Sequence, residues 1–380
     1  MRSTSGKSVV VTSMLVAAVL LLVGLAGCGS GGGGPKTLFV VGLGTPDVQR
    51  FSVNVNTGVL TADATNLVAT GSAPAAIAVD GQQKFAFVAN SASGSSNGTV
   101  SQYTINGNGV LAVANNPNST TTIAAVPVPV GVNPVALVVE PSNHYVYVAN
   151  NLSNTISAFS IDGSSGFLTE ISGSPFATGT RPNSVAAANG FLFVANTNST
   201  TSTGQISVYS INSSTGALTA VSGSPFAAGQ SLTSLDVDSG GKFLYASDAA
   251  ANGVLAYTVS SAGALTAVSG SPFAAGTSPV NVRLKGSVLF VANIGSNNVS
   301  VYVADSGSGG LTPVSGSPFA TGKSPSCVLP DTSGRLLFVA NSGDNTISSF
   351  QIGSTGPLTA VGGSPFTTFA ATPIGMATVF

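Results

Sequence analysis

Ser287-Val288-Leu289-Phe290-Val291-Ala292-Asn293, followed after a short gap by Asn298-Val299-Ser300-Val301-Tyr302-Val303, decides the fold. The first run is almost wholly apolar, as a strand buried on both faces must be. The second alternates with period two, which predicts a neighbouring strand. Working outward, Pro279-Val280-Asn281-Val282-Arg283-Leu284 reads as a strand before this pair, and Leu311-Thr312-Pro313-Val314 as a short outer strand after it. Gly316-Ser317-Pro318-Phe319 then closes a four-stranded unit, because Gly and Pro end strands and set turns.

The unit repeats. Phe290-Val291-Ala292-Asn293 has counterparts in Leu38-Phe39-Val40-Val41-Gly42, Phe87-Val88-Ala89-Asn90, Tyr147-Val148-Ala149-Asn150 and Phe193-Val194-Ala195-Asn196. Leu244-Tyr245-Ala246-Ser247-Asp248 and Phe338-Val339-Ala340-Asn341 complete the set. Spacings between the terminal residues are 48, 60, 46, 52, 45 and 48, and periods of this size mean solenoids or propellers. Gly-Ser-Pro-Phe recurs from Gly173, Gly223, Gly270 and Gly363. The count also closes on itself. The repeat region begins with a second strand (Thr37 to Val41) and ends with a first strand (Pro373 to Val379), so the C-terminal strand completes the N-terminal blade. Such a latch removes open sheet edges. The expectation is an all-β, seven-bladed β-propeller with four-stranded antiparallel blades over residues 37–380.

These motifs resemble the lactonase-like propellers, the group that contains the propeller-type 6-phosphogluconolactonases and the YVTN-repeat surface proteins. The resemblance rests on Phe/Tyr-Val-Ala-Asn, a third strand such as Thr346-Ile347-Ser348-Ser349-Phe350, and Gly-x-Leu-Thr, and covers Thr37 to Phe380. It is specific for fold and implies, as an activity, hydrolysis of a sugar lactone. The chain has no Trp, which sets it apart from WD-repeat and quinone-dehydrogenase propellers.

The N-terminus reads as an export signal. Arg2 and Lys7 form a basic start, Val9 to Val23 is apolar, and Leu25-Ala26-Gly27-Cys28 resembles the bacterial lipobox, whose Cys is lipidated. Residues 1–27 are then a lipoprotein signal peptide. Residues 28–36 are the lipidated Cys and a Gly-rich tether that cannot pack a core. The apolar run is shorter than the ~20 residues a spanning helix needs. The expected location is the exported side of a membrane, periplasmic or cell-surface. Gly29 rather than Asp after the Cys points to the outer membrane, by resemblance to the sorting rule of many Gram-negative bacteria.

Composition narrows the chemistry. Net charge is -1 with 6% charged residues and no basic stripe, so nucleic acid is not an expected partner. With Cys28 lipidated, Cys327 has no disulfide partner and reads as a small buried hydrophobe. No CxxC or His/Cys cluster suggests a metal, and no cofactor motif is present.

Strand direction puts the connections from fourth to first and second to third strands on one face, the upper, where propeller ligands usually enter. The Asn ending each second strand reads as an Asx turn at that face. His144 falls four residues after Glu140, as Lys84, Lys242 and Arg335 follow Asp80, Asp238 and Asp331. It therefore reads as the base of an exposed lower-face pair rather than as a catalytic base. Arg181 and Lys323 lie in upper loops and are candidate ligand contacts. Asp47, Asp248 and Asp344 read as surface turn residues. Aligned on the Pro that opens the first strands, Asp236 and Arg283 share a level near the axis, where other blades carry Ala78, Val138, Ala186, Leu329 and Ala377. Two readings stand: a structural ion pair across the blade interface, or a polar floor on which Arg283 holds a carboxylate or phosphate. Asp236 and Arg283 are the leading catalytic candidates, with Asp47, Asp248 and Asp344 as other candidate bases, and Arg283 is expected to lower the Asp236 pKa.

The functional expectation is an envelope-anchored module binding a sugar lactone, glycan or protein at the upper face. A sugar-lactone hydrolase and a surface-layer or adhesion protein are the alternatives. Export argues against a phosphorylated cytoplasmic lactone as substrate.

Overall fold

The computed structural model describes residues 36–92, 96–114, 127–198 and 203–380. The signal segment, Cys28 and the glycine tether lie outside these residues. The described residues form seven small antiparallel sheets and no helix, the seven-bladed propeller expected.

Blade 1 is the latch. Its innermost strand is the C-terminal Pro373–Val379, paired with Thr37–Gly42, then Thr45–Val53 and Leu60–Ala69. The register runs from Thr37 opposite Val379 to Val41 opposite Gly375, with a shift before Gly42 meets Pro373. First and last strands are thus hydrogen-bonded, and the ring has no free inner edge. Blades 2 to 7 open with Pro74–Val79, Pro134–Val139, Pro182–Ala188, Leu232–Val237, Pro279–Lys285 and Pro325–Pro330.

The six later blades add an outer piece that four-strand counting overlooks. A short fifth strand, such as Phe176–Ala177 or Phe319–Ala320, pairs with the upper part of the third strand. In five blades it comes from Gly-Ser-Pro-Phe. The serine hydroxyl accepts an amide hydrogen from the third strand, as in Val301 N to Ser317 Oγ at 2.9 Å and Val208 N to Ser224 Oγ at 2.9 Å. The Ser-Pro peptide is cis in all five.

Packing explains why the second strands are apolar throughout. Each of seven buried clusters takes residues from two neighbouring blades: Phe290 and Val301 of blade 6 meet Val328, Leu337 and Val339 of blade 7. Leu38 and Met376 of blade 1 meet Phe338 and Ala340 of blade 7 across the closure. A second strand in the middle of a blade has a neighbour blade on either side, so Phe290, Val291 and Ala292 are all fully buried.

The Asn at the end of each second strand is structural, but not through an Asx turn. It clamps the second strand to the third: Asn341 Nδ2 donates to Thr346 Oγ1 at 3.0 Å and Ser348 Oγ at 2.9 Å. Asn150 and Asn293 do likewise. A glycine in the loop from the preceding blade lies flat on the amide. A Cβ on Gly179, Gly276 or Gly322 would come within 2.8 Å of it. Blade 5 replaces this Asn with Asp248, which is 1% exposed and accepts from Gln230, Ser231, Ala250 and Ala251 amides at 2.8–3.3 Å. Asp248 is a turn residue, as expected, but a buried one that also anchors the loop entering blade 5.

The lower hairpins also differ from expectation. Asp80, Glu140, Asp238 and Asp331 do not pair with the base four residues on. Their carboxylates fold back onto hairpin amides: Asp331 Oδ1 accepts from Arg335 N and Leu336 N, both at 2.7 Å. Glu140 Oε1 accepts from His144 N at 2.8 Å. The backbone supplies donors fixed in place, where a lysine ammonium would have to be held there on a flexible stem. Lys242 instead reaches the next blade, donating to Ser306 O at 3.0 Å. His144 is exposed, with Nδ1 3.0 Å from Ser142 Oγ, consistent with a turn role.

Candidate functional site: the axial channel

Strand register builds the channel in rings. Asp236 lies opposite Tyr245 and Arg283 opposite Phe290, as Ala78 lies opposite Phe87 and Leu329 opposite Phe338. Val138, Ala186 and Ala377 face Tyr147, Phe193 and Phe39 in the same way. Every blade therefore contributes one side chain at this level, and blades 5 and 6 contribute the charged ones.

Two residues earlier comes a second ring: Ala76, Ala136, Ser184, Ser234, Asn281, Cys327 and Gly375. It lines an upper chamber of about 110 Å³. Its polar groups are engaged with one another. Ser184 Oγ accepts from Leu235 N at 3.1 Å, Asn281 Nδ2 donates to Ser234 Oγ at 3.2 Å, and Asn281 Oδ1 accepts from Val328 N at 3.0 Å. Cys327 is buried, and burial pushes its thiol up, away from the nucleophilic thiolate. This chamber is a stitched blade interface.

The lower chamber is larger, about 360 Å³, and opens toward the hairpins between first and second strands. The Asp236–Arg283 ring lines it completely. One wall carries Asp236, Arg283, Lys285, Asp331, Thr332 and Thr378; the opposite wall is Ile77, Val79, Leu137, Val139, Val185 and Ala187. An apolar wall facing a few convergent polar groups is the usual make-up of a small-molecule site. Arg283 lines both chambers and so stands at their junction.

Asp236 and Arg283 share the chamber without forming an ion pair. Among the described residues the one ion pair is Arg50–Asp63, at 3.0 Å on blade 1. Asp236 Oδ2 accepts from Leu284 N at 2.7 Å and Oδ1 from Val237 N at 3.0 Å. Arg283 donates from Nη1 to Val282 O at 3.3 Å. Asp236 keeps some exposed surface, but that surface faces the channel, with protein on every side. Burial therefore raises its carboxyl above the ordinary value, although Arg283 and the two amides pull it down. The expected lowering by Arg283 is real but is the smaller effect.

Arg181 and Lys323 line neither chamber. They are held at the upper rim by their backbones: Arg181 N donates to Asn154 Oδ1 at 2.8 Å and Lys323 N to Asp344 Oδ2 at 2.9 Å. Asp344 is thereby a loop anchor. Lys285 is the chamber residue that sequence reading missed. It lies two positions past Arg283, where four other blades have Asp80, Glu140, Asp238 or Asp331. Extending the repeat alignment by those two positions exposes the substitution. Among the described residues no cluster of His, Cys, Asp or Glu could hold a metal ion.

Ring, chamber and latch define a propeller with a small-molecule-sized cavity on its axis. The chain belongs to the lactonase family of seven-bladed β-propellers, whose family model matches residues 34–231 and 221–330. No curated protein matches it in sequence. Among solved structures, it resembles a 6-phosphogluconolactonase candidate from Bacteroides uniformis, with TM-score 0.75 and 16% identity over 91% of this chain and 99% of that one. A second such candidate, from Bacteroides fragilis, gives 0.72 and 20% over 91% and 98%. The periplasmic gluconolactonase of Pseudomonas aeruginosa gives 0.69 and 18% over 91% and 99%.

Proposed function

We propose that this protein opens sugar lactones in the lower chamber of its axial channel. The observation that carries the reading is the wall on which Asp236 and Arg283 sit side by side without being locked into an ion pair. Lactone hydrolysis needs a base to activate water and positive charge where the carbonyl oxygen becomes an oxyanion. Asp236, with its carboxyl raised by burial, is a stronger base than an ordinary carboxylate. Arg283 supplies the positive charge. Water adds to the carbonyl carbon as Asp236 takes its proton. The ring C–O bond then breaks, Asp236 returns its proton to the ring oxygen, and a hydroxy acid leaves. Family membership and the gluconolactonase named among the similar structures support the substrate class. At 16–20% identity those structures share the fold.

The reading includes a place. A lipid on Cys28 and the tether of residues 28–36 would hold the propeller at a membrane on the exported side, periplasmic or cell-surface, with the outer membrane as the proposed destination. A phosphorylated cytoplasmic lactone would not reach it, so the proposed substrate is unphosphorylated. Phe380 N donates to Gln83 Oε1 in a lower hairpin at 2.9 Å, and Lys36 Nζ lies 5.7 Å from the Phe380 ring. Lys36, the first described residue, therefore lies at the face on which the chamber opens.

A second reading is a tethered binding module without catalysis. Asp236 takes the amide of Leu284 much as Ser184 and Asn281 take those of Leu235 and Val328, which is a structural pin between blades. The discriminating experiment is opening of gluconolactone by the full-length chain in detergent, measured over the spontaneous rate. Acceleration that disappears in Asp236→Asn supports the hydrolase. No acceleration by the wild type moves the assignment to the binding module.

A further inference from the structure

The lower chamber holds a second cation for which lactone opening has no task. Lys285 follows Arg283 by two residues on one strand, so both point to the same face, with Cα atoms roughly 7 Å apart. In blades 2, 3, 5 and 7 the matching residue is an acid that folds back onto hairpin amides. Blade 6 turns through Gly286-Ser287 alone, with Lys285 opposite Val288, and has no such hairpin to hold. Position 285 is thereby released to face the chamber. Lys285 Nζ makes no hydrogen bond or ion pair with the described residues.

The carboxylates at the same wall are already engaged. Asp331 accepts from Ser333, Arg335 and Leu336, and Asp236 from Val237 and Leu284. Neither stands within 4.0 Å of Arg283 or Lys285. Two half-buried cations without an ion-pair contact are costly unless an anion meets them, and the nearby Asp236 carboxylate offsets Arg283 only in part. The cavity, at about 360 Å³, suits one small ligand.

We propose that Arg283 and Lys285 form an anion subsite that holds the carboxylate of a small hydroxylated acid, the ring-opened product of lactone hydrolysis. The identity of the ligand rests on the hydrolytic reading; the charge pattern of the wall does not. The product then competes with its parent lactone, and turnover slows as the acid accumulates.

The test is calorimetric titration of sodium gluconate into the full-length chain in detergent, with sorbitol as the neutral polyol at matched ionic strength. Gluconate is expected to bind and sorbitol not. Lys285→Gln should weaken gluconate at least about tenfold, while Lys285→Arg, which keeps the charge, should retain it. Unchanged thermal unfolding of both variants would show that the fold is intact. In lactone assays gluconate should inhibit the wild type competitively and Lys285→Gln much less. Gluconate binding no tighter than sorbitol, or equal binding by Lys285→Gln, overturns the subsite. Lactone opening without gluconate affinity overturns the subsite alone. Gluconate affinity without lactone opening keeps the subsite and overturns the hydrolase.

Discussion

Asp236 is joined to blade 6 by the amide of Leu284, 2.7 Å from Oδ2, and not by the guanidinium of Arg283 one residue earlier. The carboxyl is thus fixed in place while Arg283 stays free to meet a ligand.

The first prediction concerns pH. Burial raises the Asp236 carboxyl in the folded state above the unfolded value of about 3.9. The folded state therefore holds this proton more tightly than the unfolded state. Its contribution to stability is full below the unfolded value and is lost as pH rises through the folded value. Asp236→Asn removes the titration. Urea midpoints from about pH 4 upward should show the wild type losing stability relative to the variant. A wild type that gains relative stability over that range would contradict the raised carboxyl.

The Asn clamp predicts a stability loss remote from the channel. Asn341→Ala removes two hydrogen bonds and leaves the buried Ser348 hydroxyl with the Gly322 amide as its remaining partner, at a cost of about 1–3 kcal/mol. Gly322→Ala should also destabilise, because a Cβ there meets the Asn341 amide at 2.6–2.7 Å. In the double variant the Gly322→Ala penalty should shrink, because the obstructing amide has gone. Additive urea-denaturation values would show that the close approach is not the cause.

The hairpin acids separate a backbone cap from an ion pair. Asp331→Ala should cost about 1.5–3 kcal/mol, as loss of hydrogen bonds to a buried charged group does. Arg335→Ala should stay within about 0.5 kcal/mol, as an exposed surface change does. Equal losses would restore the ion-pair reading. By the same argument His144→Ala should leave lactone opening at the wild-type rate.

Closure predicts an all-or-none effect. Deleting residues 373–380 removes the inner strand of blade 1 and uncovers Phe39 and Val41, both buried in the closed ring. The truncated chain should lose its cooperative thermal transition. A truncation that unfolds as the full chain does would mean that the latch is dispensable.

The ring was legible because five second strands repeat Phe/Tyr-Val-Ala-Asn, two carry close variants of it, and the chain ends in a first strand. The level shared by Asp236 and Arg283 was legible for the same reason: strand register turns a sequence offset into a height on the axis. Sequence could not show what those side chains bond to. Asn341 and Asp331 sit at strand ends, where an Asx turn, a cross-strand clamp and a salt bridge need the same residue types, and only the positions of nearby hydroxyls and amides decide. The useful mouth was also hidden. Arg181 and Lys323 drew attention upward, whereas the upper ring closes on itself through Ser184, Ser234 and Asn281. Lys285 was missed because a tight hairpin had to be recognised before its departure from the acids of other blades carried meaning.

The most direct test compares gluconolactone opening by Arg283→Gln with that by the Arg181→Gln/Lys323→Gln double variant. The lower-chamber account predicts that loss of Arg283 lowers the rate about 10²-fold, as loss of an oxyanion donor does, while the rim variant opens lactone at the wild-type rate. A rim variant that loses activity while Arg283→Gln keeps it would contradict the account and move the site to the upper face.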